Sequence, residues 1–293
     1  MSTVYCRIKT IVISLLPLLF TGCSYTFYQT ECDYPLPGLV RNVSQLPGEL
    51  NETSGLEVTE NRFITFNDSG GEAALYCFRG NSILHKTILK NTFNVDWESI
   101  ASDSSFYYVA DVGNNRGRRD TLIIYKIPEN ALNAKIFRDS VKEITISYAE
   151  KVYWSEEGRY SHDCEALLQY GDSLYFFTKD WASLSSRVYS IPKMPGHYSV
   201  KSIRQYDVKA LITGADIDPF KKEVTLVGYR RGYPIMIKYG FQSSPGQIEC
   251  GGKARKYYKL FGTQVEGVSY GNDGYIYFTS EKRFRKQAIY RTY

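Results

Sequence analysis

Apolar and polar residues alternate along this chain in short runs, and no segment carries a long apolar stripe of helical period. A period of two marks β-strands, because successive side chains of an extended chain point to opposite faces. Five such runs stand at residues 62–66, 106–110, 174–178, 223–227 and 275–279. About ten residues separate each from a short opening made of a small or acidic residue, a small or polar one and an aliphatic. The openings are Ser54-Gly55-Leu56, Glu98-Ser99-Ile100, Glu165-Ala166-Leu167, Ala215-Asp216-Ile217 and Glu266-Gly267-Val268. A loop and a third strand follow each run, at 75–78, 123–126, 187–190, 235–238 and 288–291, and less regular segments at 143–148 and 256–260 can supply a fourth.

A unit of three or four short antiparallel strands, repeated every 40–65 residues or so, is the pattern of a β-propeller blade. The pattern predicts an all-β fold: a single propeller of five blades, with six as the alternative if the stretch 128–162 hides a degenerate one. A closed ring leaves no sheet edge exposed. The last blade ends inside its third strand, so the segment 39–50 is expected to return as its missing outer strand and close the ring.

Composition agrees. Aromatics make up 15% of the 293 residues, with 26 Tyr against 3 Met, which suits strands whose rings pack while the hydroxyl meets a polar partner. The N-terminus reads differently. Arg7 and Lys9 precede an apolar run too short to anchor in a bilayer, and the run ends in Phe20-Thr21-Gly22-Cys23. That tetrad resembles the lipobox of bacterial lipoproteins. The resemblance implies a signal peptide over 1–22, a lipid on Cys23 with a tether over 23–38, and a propeller domain over 39–293 in the cell envelope. A plain secretory signal is the other reading. Removing Arg7 and Lys9 lowers the formal charge from +5 to +3, and no concentrated basic stripe is present, so nucleic acid is not an expected partner. The chain is expected to act as a monomer. Cys32, Cys77, Cys164 and Cys250 lack C-x-x-C spacing, which disfavours zinc and leaves either disulfides or buried thiols.

Candidate chemistry gathers at one end of the blades. Glu98, Glu165 and Glu266 hold the same repeat position, with Ser54 and Ala215 in the other two units. Asp96 and Asp163 each precede their Glu by two residues, and Asp216 follows Ala215. A second acidic tier follows the next strand: Asn67-Asp68, Asp111, Asp180 and Glu281. Carboxylates converging on one axis must be hydrated, paired or neutralised. A Ca²⁺ ion is held by Glu98, Glu165 and Glu266, or these acids cap backbone N–H groups at strand ends, or two of them form a proton-transfer pair. The turns 67–71 and 111–115, with Asp68 and Asn114, offer oxygens for a ligand but match neither an EF-hand nor a phosphate loop. His162, beside Asp163 and three residues before Glu165, is the one histidine placed to serve as a general base, and Glu165 is the other candidate catalytic residue.

Asn-Asp-Ser-Gly-Gly (67–71), Asp-Trp-Glu-Ser-Ile (96–100), Asp-Val-Gly-Asn-Asn (111–115), Asp-Cys-Glu-Ala-Leu (163–167), Phe-Thr-Lys-Asp (177–180) and Thr-Gly-Ala-Asp-Ile (213–217) together resemble a set found in uncharacterised secreted propellers and lipoproteins of Bacteroidota. More distantly, Val-Glu-Gly-Val (265–268) and Asp-Trp-Glu (96–98) are similar to blade openings of calcium propellers of the gluconolactonase/paraoxonase group and of phytase-like esterases. That similarity implies Glu98, Glu165 and Glu266 as calcium ligands, although Lys179, Gly228 and Ser280 stand where further ligands are expected. Two functions follow. One is an envelope-anchored module that binds a small molecule, glycan, peptide or protein at the channel mouth, with Ca²⁺ as a structural ion; Asn67, Asp68, Asp96, Asp111, Asn114, Asp163, Asp180 and Asp216 are its candidate contacts. The other is a Ca²⁺-dependent hydrolase of an ester, lactone or phosphate ester. The first is preferred, because the acids are present without a complete catalytic constellation.

Overall fold

The computed structural model describes residues 36–59, 62–139, 141–150, 154, 160–218, 220–242, 247–248 and 253–293. The signal peptide expected over 1–22, and Cys23, Cys32 and Cys250, lie outside the described residues. Five antiparallel sheets form the five blades of a propeller, and apart from the short 3-10 turns Glu129–Asn133 and Tyr258–Leu260 every element among the described residues is a strand. Their inner strands are Thr53–Thr59, Trp97–Ser102, Asp163–Tyr170, Leu211–Asp218 and Val265–Tyr270, and each touches the next in a closed circuit, the fifth returning to the first.

Blades pack face to face, so each is buried on both sides. The apolar core is accordingly divided into five clusters, one at every blade–blade interface. Strand Phe106–Asp111 shows how alternation serves this: Tyr107 and Val109 join the core shared with blade 1, while Tyr108 and Ala110 join the core shared with blade 3. Both phases of the period are apolar because both faces are covered. Cys77 and Cys164 are free buried thiols within these cores.

The ring is closed as expected. Arg41–Gln45 pairs antiparallel with Ala288–Thr292 and supplies the outer strand of blade 5. Leu36–Pro37, just before it, lies parallel on Lys253–Lys256, the outer strand of blade 4. The same stitching recurs: Ile136–Phe137 runs parallel to Ser82–Leu89 of blade 1, and Gly196–Val200 runs parallel to Lys142–Tyr148 of blade 2. A segment from the next blade around the ring thus covers three of the outer edges, which otherwise expose a row of unpaired N–H and C=O groups.

Two expectations change. The stretch 128–162 hides no sixth blade: its described residues form a 3-10 turn, the edge strand of blade 1 and the fourth strand of blade 2. The segment 256–260 is not a strand; the fourth strand of blade 4 is Lys253–Lys256, and a 3-10 turn follows.

A bulge interrupts every inner strand near its start, between Ser54 and Glu57, Trp97 and Ser99, Cys164 and Ala166, Ile212 and Gly214, and Val265 and Val268. At this level the backbones approach closely. A methyl group on Gly267 would sit 2.5 Å from the backbone carbon of Gly55, and one on Gly214 would sit 2.5 Å from the carbonyl oxygen of Glu266. Ser54 Oγ donates to the carbonyl of Glu98 at 3.0 Å, and Thr213 Oγ1 donates to that of Val265 at 2.6 Å, tying neighbouring inner strands together. The bulge register also corrects the repeat. In blade 4 the residue equivalent to Glu98, Glu165 and Glu266 is Thr213, not Ala215, because its first strand ends at Asp218 and its second begins at Glu223, a connection two residues longer than Gly171-Asp172 of blade 3.

Gly267→Ala is expected to destabilise the protein by about 2 kcal/mol or more, since rigid backbone rather than a movable side chain meets the new methyl. Gly48→Ala, which meets nothing within 4 Å, should stay within about 0.5 kcal/mol of wild type in the same urea titration.

Candidate functional site: an acidic cavity on the propeller axis

Where the inner strands begin, a cavity of about 240 Å³ opens on the axis. The starts of inner strands contribute Ser54, Glu98, Glu165 and Glu266; the ends of second strands contribute Lys179 and Tyr229; the loops beyond contribute Asp68, Trp181, Glu281 and Arg283. The bulges set this convergence, because they turn the residue at each strand start toward the axis. Glu98, Glu165 and Glu266, assigned from the repeat alone, therefore line one space, and all three are at most 5% exposed.

The cavity holds its own cation. Lys179 Nζ donates to Glu165 Oε1 at 2.8 Å and lies over the rings of Trp181 and Tyr229, at 5.0 and 5.9 Å from their centroids. Burial alone would favour the neutral amine, but Glu165, Tyr229 and Glu266 outweigh it and hold the ammonium above its ordinary range. Glu165 is thereby committed to an ion pair.

A second group forms on the blade 1–blade 2 side. Asp68, Asp96 and Glu98 each place a carboxylate oxygen within 4.8 Å of the others. Burial, followed by mutual repulsion for Asp96, raises Asp96 to about 6, and burial raises Asp68 to about 6 as well. Burial and then the charges of Glu165 and Asp68 push Glu98 well above the usual range. Gly113 makes the approach possible: a Cβ there would fall on the carboxylate oxygens of Asp96 and Glu98. Across the cavity, Glu266 Oε1 is buried and accepts no hydrogen bond, and burial raises this carboxyl to about 8. Such a set fits a hard cation: oxygen donors only, close together, with an acceptor left over.

The other predicted acids brace loops. Asp111 pairs with Arg119 at 2.8 Å and accepts the backbone N–H groups of Val95 and Asp96. Asp163 accepts from the Asn114 backbone N–H at 2.9 Å and from Trp181 Nε1 at 3.2 Å. Asp180 accepts from the N–H groups of Ala182 and Ser183 and pairs with Arg187 at 2.9 Å. Asn114 Oδ1 accepts from the Arg118 and Arg119 N–H groups, and Asn67 Nδ2 donates to the Glu49 carbonyl, so both shape turns. Asp216 needs a correction. It follows the bulge rather than preceding it, and its carboxylate accepts from the Tyr270 N–H at 2.7 Å, opposite Glu57 farther along the channel.

His162 also lies elsewhere. It is fully buried between blades 2 and 3, edge-on to Tyr148 and hydrogen-bonded through Nδ1 to Ser161 Oγ at 2.6 Å, and it does not line the cavity. Burial, then Arg187, lowers it to about 4, so it is neutral at pH 7. Lys179, Trp181, Tyr229, Gly113 and Arg283 are the site residues that sequence reasoning left out. Only Lys179, a charge ending the otherwise apolar run Leu174–Phe177, carried a local signal.

Between its ordinary 4.5 and about 8, folded Glu266 holds a proton that the unfolded chain has released, so folded-state stability falls as pH rises through that window. Glu266→Gln should therefore flatten the dependence of melting temperature on pH between about 5 and 8, with its largest gain over wild type at the alkaline end. Lys179→Met should cost about 3–5 kcal/mol, and adding Glu165→Leu should recover most of the loss in the same denaturant titration.

No family model matches the chain, and no curated protein matches it. Solved structures do. A crystal structure of glucose dehydrogenase is similar at 10% identity over 87% of this chain and 99% of that one, with a TM-score of 0.50. The apo-form of the soluble aldose sugar dehydrogenase from Escherichia coli is similar at 8% identity, with the same coverage and a TM-score of 0.50. A calcium-binding protein from Agrobacterium tumefaciens, regucalcin, is similar at 11% identity over 88% of this chain and 94% of that one, at a TM-score of 0.43. Identities this low speak for the fold alone, and the chain is a β-propeller.

Proposed function

We propose that this protein is an envelope-anchored binding module whose axial cavity holds Ca²⁺ between Asp68, Asp96 and Glu98 and takes a polar ligand at its mouth. One observation carries the reading: three carboxylates packed within 4.8 Å of one another with no ion-paired basic side chain among the described residues, in space that Gly113 leaves open. A bound cation offsets their repulsion and supplies a Lewis-acid charge for a ligand oxygen. Lys179 and Glu165 fix the far wall, and Trp181 and Tyr229 restrict the well to small polar groups. Attachment rests on the lipobox-like end at Cys23, and Cys23→Ser should move the protein from the membrane fraction to the soluble one.

A terbium-luminescence or calorimetric titration should show one Ca²⁺ site. Its affinity should fall as pH drops below about 6, where protons compete for Asp68 and Asp96. Gly113→Ala should weaken binding at least about tenfold with little loss of stability, because the clash falls on movable carboxylates rather than on backbone. Absence of Ca²⁺ binding at neutral pH overturns the reading.

One observation favours hydrolysis as a second reading. Glu266, raised to about 8 across from the three acids, is able to hold and release a proton near neutral pH. Calcium-dependent turnover of an ester, lactone or phosphate ester, abolished by EGTA and by Glu266→Gln, would make the module an enzyme.

A further inference from the structure

The cavity mouth has an apolar lip that ligation of a cation leaves unused. Phe284 is 89% exposed and Phe261 is 55% exposed. Phe284 follows cavity-lining Arg283, and Phe261 lies three residues before cavity-lining Gln264. Tyr233 extends the lip, with its ring 4.7 Å from that of Phe261. Two glycines seat these rings. A Cβ on Gly232 would stand 2.9 Å from the Phe261 ring, and one on Gly262 would stand 3.5 Å from the Phe284 ring. Both glycines have left-handed backbone, φ +78° and +75°, so each lets a tight turn pass beneath an exposed ring.

The well beside this lip is short of positive charge. Glu52, Asp68, Asp96, Glu98, Glu165, Glu266 and Glu281 face only Lys179 and Arg283, and a divalent ion held by Asp68, Asp96 and Glu98 still leaves four carboxyl groups to two basic side chains. Glu266 is 95% buried and its Oε1 accepts no hydrogen bond among the described residues; it stands on the wall formed by blade 5, the blade that carries Phe284.

We infer that this lip is the docking surface for a polypeptide segment that lays an aromatic or aliphatic side chain on Phe261 and Phe284 and inserts a lysine or arginine side chain into the well toward Glu266. Charge selects the basic group, and two exposed rings beyond the well, Phe261 and Phe284, select a chain longer than a free amine. The inference names the ligand class of the proposed binding site. It depends on the cavity as the binding site, not on its occupancy by Ca²⁺.

The test uses the full chain and two capped probes, acetyl-Gly-Phe-Lys-Phe-Gly-amide and the same peptide with Glu in place of Lys, titrated calorimetrically with Ca²⁺ and with EGTA. The lysine probe should bind at least about tenfold more tightly than the glutamate probe and weaken as salt rises. Phe284→Ser and Glu266→Gln should each reduce its affinity about tenfold. Phe220→Ser, an equally exposed ring in the turn between the first two strands of blade 4, should leave it unchanged. Equal binding of the two probes, or indifference to Phe284→Ser, overturns the inference. So does Phe284-dependent sedimentation with phosphatidylcholine–phosphatidylglycerol vesicles in the absence of peptide binding, since the lip would then contact membrane. Loss of Ca²⁺ binding with peptide binding intact would sink only the calcium reading.

Discussion

Five inner strands meeting around one axis leave no room for side chains where their backbones come closest. Gly55, Gly214 and Gly267 occupy that level, with Ser99 and Ala166 in the remaining blades, and the bulges beside them relieve the crowding by letting one strand of each pair gain a residue. Everything at the site depends on this packing. The bulges turn the residue just before each small one, Ser54, Glu98, Glu165, Thr213 or Glu266, toward the axis or toward a neighbouring strand. The rigidity of the cavity is thus a by-product of ring closure, and the rest of each blade serves to hold the inner strand at its radius.

Charge governs what that cavity can do. Its acids are not equivalent. Asp111, Asp163 and Asp180 spend their oxygens on backbone N–H groups, an indole or an arginine, and so they are structural. Glu165 is spent on Lys179. Asp68, Asp96, Glu98 and Glu266 remain in excess, and burial raises all four toward the neutral form. A protein that keeps several buried carboxyls poised this way sacrifices stability at neutral pH that apolar packing would have supplied. A cation bound among them would return that free energy, which is the physical basis of the proposed cation-binding role.

The fold itself does not choose among functions. Sugar dehydrogenases share it at identities of 8–10%, over almost their whole length. A propeller presents any set of residues at the ends of its inner strands, and chemistry is decided by those few positions. Here a lysine and an excess of carboxylates stand at them, beside exposed phenylalanines.

The recurrence of short apolar runs determined the strands and their grouping into blades. Face-to-face packing makes both phases of each strand apolar, so runs such as Phe106–Asp111 are unmistakable, and the returning strand Arg41–Gln45 was implied by a last blade left one strand short. The repeat also placed Glu98, Glu165 and Glu266 together, because equal repeat positions lie at equal height. Tertiary structure decided the rest. A longer connection in blade 4 moved the register so that Thr213 replaced Ala215 and Asp216 fell farther along the channel, an error invisible in hydropathy because a shift of two preserves alternation. His162 became core only because blade 2 delivers Tyr148 against it. The approach of Asp68 to Asp96 and Glu98 needed a glycine at 113 from yet another loop. Local sequence encodes which residues extend and which face they show; which of them meet across the axis depends on bulges, turn lengths and neighbouring blades that no single strand contains.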